Sequence, residues 1–219
     1  KVPLGGVESS IVNLMVELAG RGHEVSVRNM CTEAKIIDGV DWAPLSNGVP
    51  DVADFYIANR GDKLIRLMPK AKRTVFWIHN PAQYLLKWRY LSKLWQVKPA
   101  IVFIGDYHAT TYPIWAPGGE RIVIPYGIAD EFRKFSPLDE LPPRRAIFTS
   151  NPLRSLDWLL QIWTREIYPN AQDAELHLFS GSQTYRSAGA AKASEMEAVL
   201  ENARGLSDHC VVLSGPVQK

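Results

Sequence analysis

The chain has 219 residues, 46% hydrophobic and 22% charged, with a formal net charge of +2. That balance excludes a disordered, collagen-like or low-complexity chain and gives room for one large domain or two small ones. The small total charge argues against wholesale nucleic-acid binding, but its distribution is uneven. Arg60 to Lys98 carries ten basic residues against the single acid Asp62, a net +9, leaving −7 on the remainder, a pattern that points to an anionic surface or ligand near that segment.

In chain order, Val7, Ile11, Leu14, Met15 and Leu18 recur at helical spacing. That helix is expected to end near Gly20-Arg21-Gly22, because glycine suits the left-handed cap. Strands are expected at His23–Val27, Asp54–Ala58 and Thr74–Ile78. A helix follows over Tyr84–Val97, with Tyr84, Trp88, Leu91 and Trp95 on one stripe and Pro99 as its stop. The apolar run Ala100–Ile104 is five residues long. It reads as a buried parallel strand, far short of the ~18–20 residues that span a bilayer. Asp106 is expected to cap a helix over Tyr107–Trp115, and Arg121–Ile124 reads as a strand.

A looser stretch with Pro137, Pro142 and Pro143 reads as a linker, after which the pattern restarts. Its elements are a strand at Ala146–Thr149, a helix at Ser155–Ile167, a strand at Glu175–Phe179, a helix near Ala188–Ala203 and a strand at Cys210–Leu213. The expected domains are 1–136 and 144–219. Alternation of this kind implies an α/β protein with parallel sheets covered on both faces. No internal repeat is visible. Cys31 and Cys210 lie far apart with no metal-type spacing, so free thiols in a reducing compartment are expected. The histidines form no metal constellation, and no metal or cofactor is expected.

Two glycine-bearing or polar turns read as anion sites. Gly5-Gly6 precedes a helix, where a ligand can approach the backbone and meet free N–H groups; a simple tight turn is the plainer alternative. Glu8, in the first turn, is favoured there by the helix dipole alone. Ser150-Asn151-Pro152-Leu153-Arg154 lies between a strand and a helix. A cation there opposes the dipole, so Arg154 makes sense beside a bound anion, or else solvated or paired with Asp157. His79 ends a strand in Trp77-Ile78-His79-Asn80-Pro81, at the carboxyl edge where open α/β sheets bind ligands. A satisfied structural histidine is the alternative.

Order and spacing of these pieces carry a resemblance. Gly5-Gly6-Val7-Glu8, Leu18-Ala19-Gly20-Arg21-Gly22-His23-Glu24-Val25 and Ile124-Pro125-Tyr126-Gly127-Ile128 resemble the N-terminal domain of a GT-B glycosyltransferase of the retaining group-1, GT4-like family. Thr149 to Leu160 and Asn170 to Gly181 are similar to the opening of that family's second domain. The resemblance implies Rossmann-like parallel sheets, with an N-terminal domain lacking its first strand and the first half of the C-terminal domain. It further implies a parent nearly twice as long and a donor-site Glu-x7-Glu motif beyond Lys219.

The activity implied is transfer of a sugar from a nucleotide-diphosphate donor to a carbohydrate or lipid-linked acceptor, with retention. The resemblance assigns His79 to the catalytic region, Gly5, Gly6, Ser150 and Arg154 to the donor, and Glu8 and Gly127 to the lining of the cleft. Where the family usually has an assisting Lys, this chain has Asp157-Trp158. A non-catalytic fragment that binds nucleotide weakly or serves as an association module is the alternative, and a GT-B sugar-nucleotide epimerase ranks below both. A missing central strand would leave two strand edges unpaired, so a homo-oligomer through those edges is expected. The expected location is the cytoplasm, with peripheral contact to an anionic membrane through 60–98, where aromatic and basic residues mix. The plainer reading of that segment puts its tryptophans in the core.

Overall fold

The computed structural model describes residues 5–128, 133–134, 143–181 and 192–214. The starts of the chain and of the helix expected from Ala188, Pro137 and Pro142 of the expected linker, and the chain end lie outside them. Two units are distinguishable: Ser9–Asp130, and Lys1–Glu8 together with Glu131–Lys219.

Helix α1 spans Gly6–Gly20. It ends as glycine chemistry dictates: Gly22 adopts φ +88°, and the N–H groups of Gly22 and His23 donate to the carbonyls of Ala19 and Leu18 at 3.0 and 3.2 Å. Strand β1 (Val25–Asn29) follows, starting two residues later than the expected His23. It pairs in parallel with β3 (Val40–Pro44), which also pairs antiparallel with β2 (Lys35–Ile37). The β2–β3 hairpin was not expected from the sequence. Its turn is Asp38-Gly39, with φ +52° and +78°, the left-handed pair of a type I′ turn.

The larger sheet of this unit is fully parallel, in the order β4-β5-β6-β7. Its strands are β4 (Ala53–Asn59), β5 (Ala71–Trp77), β6 (Ala100–Phe103) and β7 (Arg121–Val123). Helix α2 (Trp88–Val97) connects β5 to β6, and the short α3 (Asp106–Thr110) connects β6 to β7. One core joins Ala58, Phe76, Ile78, Ile101 and Phe103 of the strand segments to Leu85, Tyr90, Leu94 and Tyr112 of the connections. The opposite face is buried at its centre, at Trp77, Ala100 and Val102, and opens toward β4, where Ile57 is half-buried and Phe55 is 66% exposed. Helices on both faces were expected. Because each strand is added beside its predecessor in the same direction, right-handed crossovers keep the connecting helices on one side. Coverage of both faces needs a reversal of strand order.

Two further expectations are corrected. On α2 the buried residues are Tyr90 and Leu94, whereas Trp88 and Trp95 are 76% and 68% exposed. The plainer reading that put these tryptophans in the core therefore fails. Asp106 is the first residue of α3 and makes no capping hydrogen bond; Gly105 occupies the cap. The helix also stops well before Trp115. Arg121 gathers the turn that replaces it, donating to the carbonyls of Tyr112, Pro113, Ile114 and Ala116 at 2.7–3.1 Å. Its guanidinium also lies 4.8 Å over the Tyr112 ring.

The other unit has a parallel sheet in the order β10-β9-β8. Its strands are β8 (Arg145–Phe148), β9 (Glu175–Leu178) and β10 (Val211–Leu213). Helix α4 (Leu156–Ile162) runs on through a π-helical turn, Trp163–Ile167, and helix α5 spans Ala193–Arg204. Leu156, Leu160 and Trp163 from the first, Leu200 and Ala203 from the second, and Leu176 and Leu178 of β9 form one core. Ile147 of β8 stays 62% exposed. Among the described residues no helix is long and apolar enough to cross a membrane. Cys31 and Cys210 are free thiols.

Candidate functional site

The carboxyl edge of the four-stranded sheet gathers polar side chains from three strand ends. Asn59 closes β4, His79 lies two residues past β5, and Tyr126 lies three past β7. His79 Nε2 is 2.7 Å from Asn59 Oδ1, and its Nδ1 is 2.6 Å from the Tyr126 hydroxyl. An amide oxygen only accepts, so Nε2–H donates to Asn59 and Nδ1 accepts from Tyr126. This is a neutral tautomer. Burial foremost, then the charges of Arg60 and His108, push the His79 pKa from 6.5 down to about 4. The ring is 9% exposed, stacks on Tyr126 within 9° and packs 4.8 Å from the Trp77 ring.

The structure thus places His79 at a strand end, as expected, but with both nitrogens engaged. A ligand hydroxyl reaches it only by displacing Asn59 or Tyr126. Two neighbours that sequence reasoning missed complete the edge. Arg60 follows β4 directly, exposed, with φ +63°. Its N–H donates to the Trp77 carbonyl at 3.1 Å, and the Gly61 N–H donates to the Asn59 carbonyl at 2.7 Å. A non-glycine residue held left-handed at a strand end is a strained position of the kind found at ligand sites. Arg60 forms no ion pair among the described residues and presents a free cation. The indole N–H of buried Trp77 has no hydrogen-bond partner among the described residues, a donor there without an acceptor.

The loops of this edge are laced together. His108 accepts from the Ile104 N–H at 3.1 Å and donates through Nε2 to the Asn80 carbonyl at 2.6 Å. The Ala82 N–H donates to the Thr111 hydroxyl at 2.7 Å. Gly127 is exposed, has no positive φ, and a side chain there would meet nothing within 4 Å. Neither backbone conformation nor space demands glycine at this position.

In the other unit, Ser150 and Arg154 lie past the carboxyl end of β8. Ser180, 3% exposed, donates to the Ser150 carbonyl at 2.6 Å and so ties the ends of β8 and β9. The Ser150 hydroxyl has no partner among the described residues. The turn uses its own donors: Leu153 N–H bonds Asn151 Oδ1 at 2.8 Å, Arg154 N–H bonds the Asn151 carbonyl at 2.9 Å, and Leu156 N–H bonds the Pro152 carbonyl at 3.2 Å. The free N–H groups expected there for an anion are therefore largely taken. The exposed Arg154 side chain leads into Ser155, which is held at φ +63°.

Gly5, Gly6 and Glu8 stand at the start of α1. The Glu8 carboxylate folds back over Gly5 so closely that a Cβ on Gly5 would collide with it, while Gly6 faces open space. The helix start thus carries its own anion, which the dipole favours. Gly5, Gly6, Glu8, Ser150 and Arg154 belong to one unit, and His79 and Gly127 to the other. Among the described residues no three His, Cys, Asp or Glu side chains converge as metal ligands. Compared with known proteins, the chain matches no protein-family model and no curated protein.

Proposed function

We propose that the chain is a portion of a retaining GT-B glycosyltransferase that takes a nucleotide-diphosphate sugar. The observation that carries this reading is the carboxyl edge of the four-stranded parallel sheet. There, free Arg60, the unpartnered indole of Trp77 and the His79–Tyr126–Asn59 cluster stand together. Open α/β sheets bind ligands at this edge, and a leaving diphosphate needs cations. In the other unit, taken by itself, Ser150 and Arg154 at the edge of β8 are read as phosphate contacts, and Gly5 and Gly6 as a further anion-binding turn. The acceptor is a carbohydrate, free or lipid-linked. Exposed Trp88 and Trp95 beside Arg89 support peripheral contact of α2 with an anionic bilayer.

A second reading is binding without turnover. It is favoured by the engaged nitrogens of His79 and by the internally bonded N–H groups of the 150–154 turn. Titration with UDP, GDP and ADP tests the common part of both readings. Arg60→Ala and Arg154→Ala are each expected to weaken binding about tenfold, the loss of one charge-assisted contact. No binding of any diphosphate would overturn both. Release of free diphosphate from a nucleotide sugar supports the transferase; binding with no release supports the second reading.

A further inference from the structure

The four-stranded sheet has a second polar end. A groove of about 720 Å³ runs along its amino edge, bordered by the first residues of β5 and β6, Ala71 and Ala100, and by Glu120, which precedes β7. Arg66, Lys72, Arg73 and Lys98 line it against the single acid Glu120. Two of these cations are already paired, Arg73 with Glu120 and Lys72 with Asp54. Arg66 and Lys98 have no ion pair among the described residues. The groove therefore carries two uncompensated cations beside an apolar base that includes Ile65 and Met68, both buried.

One wall fixes the backbone that carries its cation. Lys98 ends α2 with φ +47° and its N–H donates to the Leu94 carbonyl at 3.0 Å. Gly119 packs against the Lys98 and Pro99 carbonyls so closely that no Cβ fits, and its N–H donates to the Pro99 carbonyl at 2.9 Å. A lysine held left-handed against backbone is a strained position that the surrounding structure over-determines. Arg66 supplies a planar fork of donors and Lys98 a compact charge, a pair that suits the oxygens of a phosphate group.

We propose that this groove is a binding site for a phosphate or diphosphate group, separate from the carboxyl-edge site and independent of the function proposed there. Arg66 forks two of its oxygens and Lys98 neutralises the charge from the other side. Thr74, half-buried in the lining, offers a hydroxyl. The group is carried either by a lipid headgroup or by a soluble anion.

Binding is measured for inorganic pyrophosphate by calorimetry and for phosphatidic acid in neutral-lipid vesicles by co-sedimentation. The chains compared are the unsubstituted one, Arg66→Gln, Lys98→Gln and the double substitution. A fifth, Lys63→Gln/Lys70→Gln, removes the same charge as the double substitution, outside the groove lining. Arg66 is exposed and unpaired, so Arg66→Gln keeps the fold even if Lys98→Gln does not. Each groove substitution is expected to weaken binding of at least one probe about tenfold or more, with the outside pair unchanged. Loss confined to vesicles assigns the group to a lipid, and loss with pyrophosphate assigns it to a soluble anion. No binding of either probe, or equal weakening by groove and outside substitutions, overturns the site.

Discussion

The Tyr126 hydroxyl lies 2.6 Å from His79 Nδ1, and the two rings, 47 residues apart in sequence, are stacked within 9°. Tyr126 follows β7 and His79 follows β5, with β6 between them in the sheet. The contact therefore reaches over a strand; with the neutral imidazole the Tyr126 hydroxyl donates to Nδ1, and protonation of the ring would reverse that bond, Nδ1–H donating to the hydroxyl oxygen.

The pH dependence follows from that. The folded pKa of His79 is depressed to about 4 against 6.5, so its contribution to stability is whole above the unfolded value. As pH falls below it, the unfolded chain takes up a proton that the folded one resists. Stability then drops by about 1.4 kcal/mol per pH unit from this residue until the folded pKa is reached. Urea unfolding of the native chain and His79→Gln is expected to show a shallower acid slope in the variant. Equal slopes across that window, or an imidazole resonance that titrates at the ordinary value, would count against it.

Gly119 and Gly127 give opposite expectations for one substitution. Gly119→Ala drives a methyl into the Lys98 carbonyl, with the Pro99 oxygen at 3.0 Å, and backbone cannot swing aside as a side chain does. A loss of about 2 kcal/mol or more is expected, whereas Gly127→Ala stays within about 0.5 kcal/mol. Denaturant midpoints of the two variants decide the matter; similar midpoints would contradict the packing described.

Helix α2 offers a comparable contrast. Leu94 is 0% exposed, so Leu94→Ala is expected to cost about 2–5 kcal/mol. Trp88→Ala/Trp95→Ala removes far more apolar surface but from the solvent side, and is expected to change stability by less than about 1 kcal/mol. The double variant is also expected to co-sediment less with anionic vesicles. Unchanged sedimentation, or sedimentation equal on neutral and anionic lipid, would remove the electrostatic membrane role.

The strand edges lead to a prediction about association. Among the described residues β1 pairs only with β3, and β4 only with β5, leaving rows of backbone groups that can pair with another chain. Phe55 on β4 adds an exposed apolar ring. Light scattering at micromolar concentration is expected to show mass rising with concentration, and Phe55→Lys to reduce it, because charge on an edge strand blocks pairing. A clean monomer for the unsubstituted chain would reject the expectation.

The strands β4 to β10 were legible because each is a short apolar run bounded by glycine, proline or polar residues, as in Ala100–Phe103 before Gly105. Which face the connecting helices take was not legible, because alternation fixes the element types but not the spatial order of strands. On α2, aromatic character was taken for burial. The buried positions Tyr90 and Leu94 and half-buried Val97 share a stripe at helical spacing, leaving both tryptophans outside. The β2–β3 hairpin escaped because Ile36 and Ile37 are exposed and show no alternation, although Asp38-Gly39 is a recognised type I′ signal. His79 was found by its place at a strand end. Asn59 and Tyr126 were not, since partners 20 and 47 residues away leave no trace in spacing.

The His79 bonds also act as a latch on the last strand of the sheet. β7 has three residues and, among the described residues, a single neighbour, β6, so it has few backbone bonds of its own to resist opening. Its anchor is the turn held by Arg121 at one end and the Tyr126–His79 bond at the other. Protonating His79 reverses that bond and places a charge in a buried ring near Arg60, which weakens the second anchor while leaving the first intact. Acid should therefore peel β7 from its Tyr126 end, and amide exchange at Val123 and Ile124 should quicken before that of β5 and β6. An edge strand fastened by one imidazole comes loose at a pH set by that ring, ahead of the rest of the sheet.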